Sequence, residues 1–543
     1  MVVSKTYFLK VKLSYISIFS LSLLFSVITY TSLLEQHQRV RHSRKSAATE
    51  QSETFNFLAK ESDGTTTHIS LVNMEEEEEG NGWIKWQALG NTTTIRFDRV
   101  TEDLRWEDFY PEWIDEDHKF NAPKCPIIPM PRFEEFGAFD AVIARVPCGR
   151  DPNKGDRDVF RLQVHLVVAN LAVRSSRGDG RSVTVVLVGS CEPMWEIFRC
   201  DDLIKREGDS WVYRPDLKRL KQKLLMPVGS CQLAVPVVKH GQGKIQYDFS
   251  KIQYPQEHPR VAYATVLHSS ERYVCGAIAL AQSIIQTNST KDLVLLADRS
   301  ITKKSRWALK AAGWKIKMIE RIRSPQAKKN AYNEWNYSKL RIWQLTEYDK
   351  IMFIDSDLIV LENLDRFFTM PQLSAAGNNG VLFNSGIMLI EPSNCIFEML
   401  MNKRDQLVSY NGGDQGYLNQ VFIWWHRLPG RLNRLKVFKR THNRNGRDLP
   451  NAYAIHYLGF KPWLCYRDYD CNWDKKDHQI FASDLAHQIW WQVYDSMPTR
   501  LHRFCALSRG MDRWLKRMRE RAHIANLDGG HWKIKVNDPR QLH

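Results

Sequence analysis

Residues 350–361 read K-I-M-F-I-D-S-D-L-I-V-L. The apolar run Ile351-Met352-Phe353-Ile354 meets Asp355-Ser356-Asp357 and then turns apolar again. β-Favouring residues that end on two carboxylates predict a buried strand reaching a polar edge. In an open α/β sheet, ligands sit outside the carboxyl ends of the strands. Two carboxylates there, separated by a small Ser, can converge on one cation. Hard divalent ions that carry phosphates are held by one or two carboxylates plus the phosphate oxygens. The D-x-D therefore points to a metal site for a nucleotide diphosphate. The plainer alternative is a solvated strand end, since Asp is common in turns.

Upstream, the pattern alternates. Val261–Leu267 reads as a strand, 275–286 as an apolar helix and 293–297 as a strand. Residues 303–312 read as a helix stopped by Gly313, 315–319 as a strand, and 338–345 as a helix leading into the D-x-D strand. This alternation predicts an α/β fold with a doubly wound, Rossmann-like sheet and a nucleotide crevice at its edge. Farther upstream, 138–146, 159–175 and 182–190 read strand, helix, strand, a second and smaller α/β unit without a legible catalytic constellation. Near the C-terminus, 511–522 is a basic stretch that predicts an amphipathic surface helix.

The 543 residues exceed what one core organises, which predicts roughly two or three domains. The formal net charge of +16 suggests an anionic partner. No zinc-finger or RNA-binding pattern is present and the basic residues are scattered, which argues against nucleic acid. Residues 13–34 carry no charge and are long enough to span a bilayer, read here as an uncleaved anchor. Lys5, Lys10 and Lys12 before it are matched by Arg39, Arg41, Arg44 and Lys45 after it, so charge alone does not orient it. Sequons at Asn91, Asn288 and Asn336 favour a lumenal body. Cys191 with Cys200, and Cys465 with Cys471, are near enough in sequence to pair. The expected organisation is a cytoplasmic tail (1–12), an anchor (13–34), a polar stem with the acidic run 75–79 (35–95), an N-terminal α/β domain (96–257), a catalytic domain (258–500) and a basic extension (501–543).

A set of motifs then appears in order. Tyr263-Ala-Thr-Val-Leu267 with Tyr273-Val-Cys-Gly276-Ala opens the region, and Lys339-Leu-Arg-Ile-Trp-Gln-Leu345 precedes the D-x-D. Phe383-Asn384-Ser385-Gly386, Gly412-Gly413-Asp414-Gln415-Gly416 and His456-Tyr-Leu-Gly459-Phe-Lys461-Pro-Trp463 follow it. Taken singly, each has a bland reading: His456 a core histidine, Lys461 a surface lysine, Tyr273 core packing, the glycine runs turns. Together they resemble glycosyltransferase family 8, the glycogenin-like retaining transferases of GT-A fold. The anchor, the additional N-terminal domain and the long C-terminal tail are most similar to the plant members that add glucuronic acid to xylan.

That resemblance implies roles. Asp355, Asp357 and His456 would bind Mn2+, a ligand set that suits this ion. Lys461 and the main chain at Gly459 would hold the diphosphate, and Lys339 would reach the donor sugar or phosphate. Leu267, Ser269 and Tyr273 would line the uracil and ribose pocket, with Ser356, Asn384 and Ser385 also against the nucleotide sugar. Asp414 and Gln415 would surround the donor sugar, Asp414 being the best-placed carboxylate for a nucleophile, though front-face transfer is the favoured route. The expected reaction moves glucuronic acid from UDP-glucuronate to xylan in the Golgi lumen, with the chain held in the membrane by one helix. Alternatives are a galacturonosyl, galactosyl or glucosyl transferase, or a non-catalytic carbohydrate-binding scaffold on the same fold. Asn411 stands where glucosylating members often carry Asp, and no counterpart of glycogenin's self-glucosylated tyrosine is legible. A donor carboxylate calls for a bidentate arginine; Arg341 is the first candidate, with Arg321, Arg323, Lys328 and Lys329 nearby.

Overall fold

The computed structural model describes residues 67–74, 90–110, 125–148, 157–176, 182–225, 238–241, 244–247, 258–438 and 451–540. The expected anchor at 13–34 and the acidic run lie outside these residues. Among the described residues no helix is long and apolar enough to cross a membrane.

Two large sheets carry the fold. The first has the order β2-β1-β3-β4-β6-β5. Its strands are β1 (His68–Val72), β2 (Asn91–Ile95), β3 (Ala141–Arg145), β4 (Thr184–Val188), β5 (Leu203–Glu207) and β6 (Ser210–Tyr213). Strands β1 to β4 run parallel and β6 returns antiparallel to β4. Helix α1 (Val159–Arg174) is apolar on nearly every face and is buried almost throughout, capped by Asp158 accepting the Arg161 N–H. Strands β1 and β2 fall in the stretch read as stem. Five-residue strands among polar neighbours give little pattern, and β1 is held by partners on both sides. After α2 (Leu217–Leu225) comes a hairpin, β7 (Val238–Gly241) and β8 (Lys244–Tyr247).

The second sheet has the order β11-β10-β9-β12-β15-β14-β16. Strand β9 (Val261–Leu267), helix α3 (Val274–Gln286), β10 (Asp292–Ala297), α4 (Lys303–Ala311), β11 (Lys315–Met318) and β12 (Lys350–Ile354) form the parallel, wound half that the alternation predicts. The sheet is mixed beyond that point. Strand β15 (Phe383–Ile390) runs antiparallel to β12 and to β14 (Ser374–Gly377), while β16 (His426–Leu428) is parallel to β14. A parallel return needs a crossover of a dozen residues or so, and the short connector 378–382 allows only an antiparallel one. The helix expected at 338–345 is a run of 3₁₀ turns, Asn336–Gln344, with no capping side chain at Trp335.

A small third sheet has the order β13-β18-β17. It pairs β13 (Leu358–Val360) with β18 (Ala454–His456), and β18 with β17 (Arg434–Leu435). Helices α5 (Asn394–Lys403) and α6 (Asp414–Val421) complete the sheet's surroundings, and α7 (Asp484–Ser496), α8 (Thr499–His502) and α9 (Arg509–Ile524) follow. The basic stretch predicted as a surface helix is α9, and its Leu515 packs on Cys465, Tyr466 and Tyr469.

The N-terminal sheet and the second sheet share one continuous apolar core, in which Trp106, Phe198 and Trp211 join Trp343, Phe353 and Trp425. Tyr110 stacks on Trp425 at 5.6 Å and Trp195 meets Phe422 edge-on at 4.8 Å. Arg199 pairs with Glu391 at 2.5 Å, both nearly inaccessible, and Cys200 is bonded to Cys395. The Cys191–Cys200 pair that sequence proximity allowed is therefore not formed. Cys191 bonds Cys148 instead, because β3 and β4 are in parallel register and each cysteine lies three residues past the pair Arg145 and Val188. Cys465 and Cys471 do pair, and Cys275 at the start of α3 is bonded to Cys505.

Candidate active site

The D-x-D stands where the buried strand β12 ends. Asp355 N–H donates to the Gly386 carbonyl at 2.8 Å, and Leu358 N–H returns to the Asp355 carbonyl at 3.1 Å, so the chain turns there into β13. The antiparallel register sets Leu358 opposite His456. That pairing brings a histidine from far along the chain to the acids. One ligand atom each from Asp355, Asp357 and His456 lie within 4.8 Å of one another. His456 Nε2 is 3.4 Å from Asp357 Oδ1.

Hydrogen bonding fixes which imidazole nitrogen faces the acids. The backbone N–H of Gly386 donates to Asn384 Oδ1 at 2.8 Å, so that atom is an acceptor. Asn433 Nδ2 donates to the same oxygen at 2.8 Å, so the other terminal atom of Asn433 is its carbonyl oxygen. His456 Nδ1 must donate to it, at 3.0 Å. In the neutral ring the Nε2 lone pair then faces Asp357, two acceptors with no proton between them, which is the donor set a divalent cation fits. Asn433 was not legible as a site residue: a lone Asn in the 3₁₀ turn before β17 carries no sequence signal. Gly386 packs against the same imidazole, and a Cβ there would stand 2.7 Å from His456 Cε1.

Two lysines neutralise the acids. Lys461 Nζ lies 2.7 Å from Asp357 Oδ2, and Lys339 Nζ lies 3.2 Å from Asp355 Oδ1 and 2.6 Å from Asp414 Oδ2. Burial pushes the Asp355 carboxyl up to about 6 against the pull of Lys339, with Asp357 and Asp414 adding to the rise. Burial also pushes Asp357 up, but Lys461, joined by His456 only when its ring carries a second proton, outweighs it and holds that carboxyl well below the usual range. Lys339 is raised: burial works against its charge and Asp355 and Asp414 restore it. The lysine charges thus favour the ionised form of both acids, with Asp357 held the lower of the two.

The donor-sugar residues of the sequence reading also converge. Ser385 Oγ donates to Asp414 Oδ2 at 2.8 Å, and Gln415 Oε1 accepts from Ser385 N–H at 3.3 Å. Gln415 Nε2 donates to Tyr410 Oη at 2.7 Å, a second residue without a sequence signal. Gly459 has φ +76°, and a Cβ there would lie 2.4 Å from Asn472 Oδ1. Ser356 sits under α3, where a Cβ on Gly276 would meet its carbonyl oxygen at 2.3 Å. Tyr273 meets Trp463 edge-on at 5.9 Å.

Two expectations need correction. Leu267 is packed in the apolar core, 2 % exposed, so its side chain does not line an open pocket. Arg341 is directed elsewhere: it donates to the Glu320 carbonyl at 3.2 Å and to Gln344 at 2.9 Å, and covers the Phe397 ring. Arg321 is the cation beside a predicted site residue. Its Nη1 is 3.4 Å from Ser269 Oγ, its Nε is 3.1 Å from Asp298, and it lies over the Trp335 ring at 4.2 Å.

Known proteins share both halves of this sequence. Residues 264–466 match the profile of glycosyl transferase family 8, and residues 38–231 match that of the GUX1-5 N-terminal domain. The UDP-glucuronate:xylan alpha-glucuronosyltransferase 2 of Arabidopsis thaliana is 52% identical over 486 residues, which is 88% of this chain and 81% of that protein. Glycogenin-1 of Homo sapiens is 28% identical over 247 residues, 42% of this chain and 70% of that protein. A solved structure of the galactosyltransferase LgtC with donor and acceptor sugar analogs aligns at 16% identity over 45% of this chain and 99% of that one, with a TM-score of 0.33. The chain belongs to glycosyl transferase family 8, in the form that carries a GUX1-5 N-terminal domain, and is a UDP-sugar glycosyltransferase.

Proposed function

We propose that this enzyme moves glucuronic acid from UDP-glucuronate onto the xylan backbone with retention of the α configuration, on a GT-A catalytic domain. The observation that carries the reading is the 52% identity over most of both chains to a relative named for that reaction. Asp355, Asp357 and His456 would hold the metal, Mn2+ by its liking for imidazole with carboxylates. When bound, that ion supplies charge neutralisation for the departing diphosphate.

The chain's own residues do the rest. Lys461 is buried beside Asp357 and supplies a fixed positive charge for phosphate oxygens. Gly459, at φ +76° and packed where a Cβ would strike Asn472 and Phe481, shapes the turn that would present main chain and Lys461 to the phosphates. Lys339 and Ser385 both engage Asp414 Oδ2, which fits Asp414 to orienting the sugar rather than attacking it. Front-face attack by the acceptor hydroxyl, with its proton passing to the leaving phosphate, follows from that restraint.

We further infer a type II Golgi membrane protein anchored by 13–34 with its catalytic body in the lumen. The disulfides support an oxidising compartment. The reading is tested by a donor screen on xylo-oligosaccharides with UDP-glucuronate, UDP-galacturonate, UDP-galactose and UDP-glucose. UDP-glucuronate should dominate, with activity lost to chelator and restored best by Mn2+. Equal rates with UDP-glucose and UDP-glucuronate would overturn the donor assignment.

A further inference from the structure

A cavity of about 600 Å³ lies between α9 and the segment 460–476, lined among others by Phe460, Asp474, Lys475, Lys476, Trp514, Arg517 and Arg521. This is the size of a cleft that takes a small ligand or part of a chain. Its floor is aromatic: Phe460 and Trp514 meet edge-on at 5.0 Å, both partly buried. Its rim is cationic, with Lys475, Lys476, Arg517 and Arg521 all exposed. Among the described residues none of Lys476, Arg517 and Arg521 is in an ion pair, and the other helix acids do not reach them. The single acid in the wall, Asp474, is 4 % exposed and accepts the Tyr469 hydroxyl, so it presents little charge to the opening.

The cavity adjoins the active site through one residue. Phe460 stands between Gly459 and Lys461. Lys461 turns to Asp357, while Phe460 turns the other way, stacked on His478 at 4.1 Å and set against Trp514. Its main chain is held on both sides by Asn472, which receives the Phe460 N–H at 2.8 Å and donates to the Phe460 carbonyl at 3.1 Å. A chain seated in the cavity would therefore lie directly behind the diphosphate lysine.

We propose that this cavity is a second saccharide-binding site that holds an acidic polysaccharide already bearing uronic acid, that is, the product end of the polymer being substituted. The inference rests on the reaction proposed above. An aromatic floor accepts the apolar face of a sugar ring, and exposed arginines and lysines meet a sugar carboxylate. A neutral backbone alone would leave Lys476, Arg517 and Arg521 unanswered, whereas a uronate-bearing chain complements them. Holding the substituted end there would keep the polymer on the enzyme between transfers.

The test is binding to the full chain, without UDP-sugar or metal, by calorimetry. A xylo-oligosaccharide bearing glucuronic acid is compared with an unsubstituted one of equal length. The acidic ligand should bind at least about tenfold more tightly, and the advantage should shrink as salt is raised. The exposed double substitution Arg517→Glu/Arg521→Glu should erase that advantage, and Trp514→Ala should weaken both ligands. Asp357→Ala should leave this binding intact while transfer is lost, so failure here is separable from failure of the donor screen. Equal binding of the two oligosaccharides, no effect of the double substitution, or binding only to vesicles of anionic lipid would overturn the proposal.

Discussion

Lys461 Nζ and Asp357 Oδ2 are 2.7 Å apart, so the lysine expected to hold phosphate and the acid expected to hold the metal are bonded to each other. The two cannot both be kept by Asp357 at full strength when a cation enters. A cation held by Asp357 would compete with Lys461 for that carboxylate and would leave the lysine free for phosphate oxygens. Lys461→Met should then tighten metal binding in the absence of nucleotide, and should cut kcat by about 10²–10³, the usual loss for an electrostatic donor at the transition state. Calorimetry with Mn2+ and steady-state kinetics measure the two effects. A variant weakened in both would mean that the lysine does not compete for Asp357.

Asn433 sets the His456 tautomer, and it in turn is fixed through Asn384 by the Gly386 amide. Partners of this kind typically contribute 10–100-fold in metal affinity. Asn433→Leu should lower Mn2+ affinity by about that factor while leaving the melting temperature of the metal-free protein nearly unchanged. An Asn433→Asp protein, which keeps the acceptor, should retain more of the affinity than the leucine variant.

Glu391 should hold the two sheets together electrostatically. Burial pushes its carboxyl up, but Lys350, Arg199, Arg219 and Lys223 bring it down to about 2, from an ordinary 4.5. A folded value below the unfolded one gives stability that is complete above pH 4.5 and drains away as pH falls toward 2. At 1.36 kcal/mol per pH unit the loss is about 3 kcal/mol. Glu391→Ala would leave Lys350 buried without its carboxylate, while Arg199 would keep Asp201, at a cost of about 3 kcal/mol. Denaturant unfolding across pH 2–7 should show the acid-sensitive component in the parent and not in the variant.

Arg321 rather than Arg341 should govern use of a uronate donor. Arg321→Ala should raise the KM for UDP-glucuronate and cost about 1.5–3 kcal/mol in kcat/KM, the value of a charge-assisted contact, with a smaller effect on UDP binding. Arg341→Ala should stay near the parent on both counts, since its partners are Glu320, Gln344 and Phe397. Equal losses in the two variants would remove Arg321 from donor recognition.

Much of the site was readable because its residues sit in short, locally patterned motifs. Val261–Leu267 was bounded from sequence as the strand it is, and the D-x-D strand and α3 fell where periodicity put them. His456 was reachable only through the family resemblance, since its meeting with Asp357 depends on the pairing of β13 with β18, which periodicity does not encode. Arg341 was a candidate whose orientation the sequence does not carry, and the structure directs it away from the site. Lys339 and Arg341 stand on 3₁₀ turns with three residues per turn, so a side chain two positions on leaves the face that Lys339 presents. The antiparallel half of the sheet depended on connector length, and the Cys148–Cys191 bond on strand register. Both are relations between segments, and a reading within segments does not contain them.

The bond between Cys275 and Cys505 spans 230 residues, and it reaches from the first helix of the catalytic sheet to a segment near the end of the chain. Synthesis runs from the N-terminus, so α3 is made long before its fastening exists. Gly276, which lets α3 press against the D-x-D turn, immediately follows that cysteine. The nucleotide crevice is thus secured in the order opposite to its translation, with a late segment locking the first helix of the catalytic sheet. A polypeptide ending between residues 457 and 504 would carry Asp355, Asp357 and His456 and still lack the bond that fastens the helix beneath them.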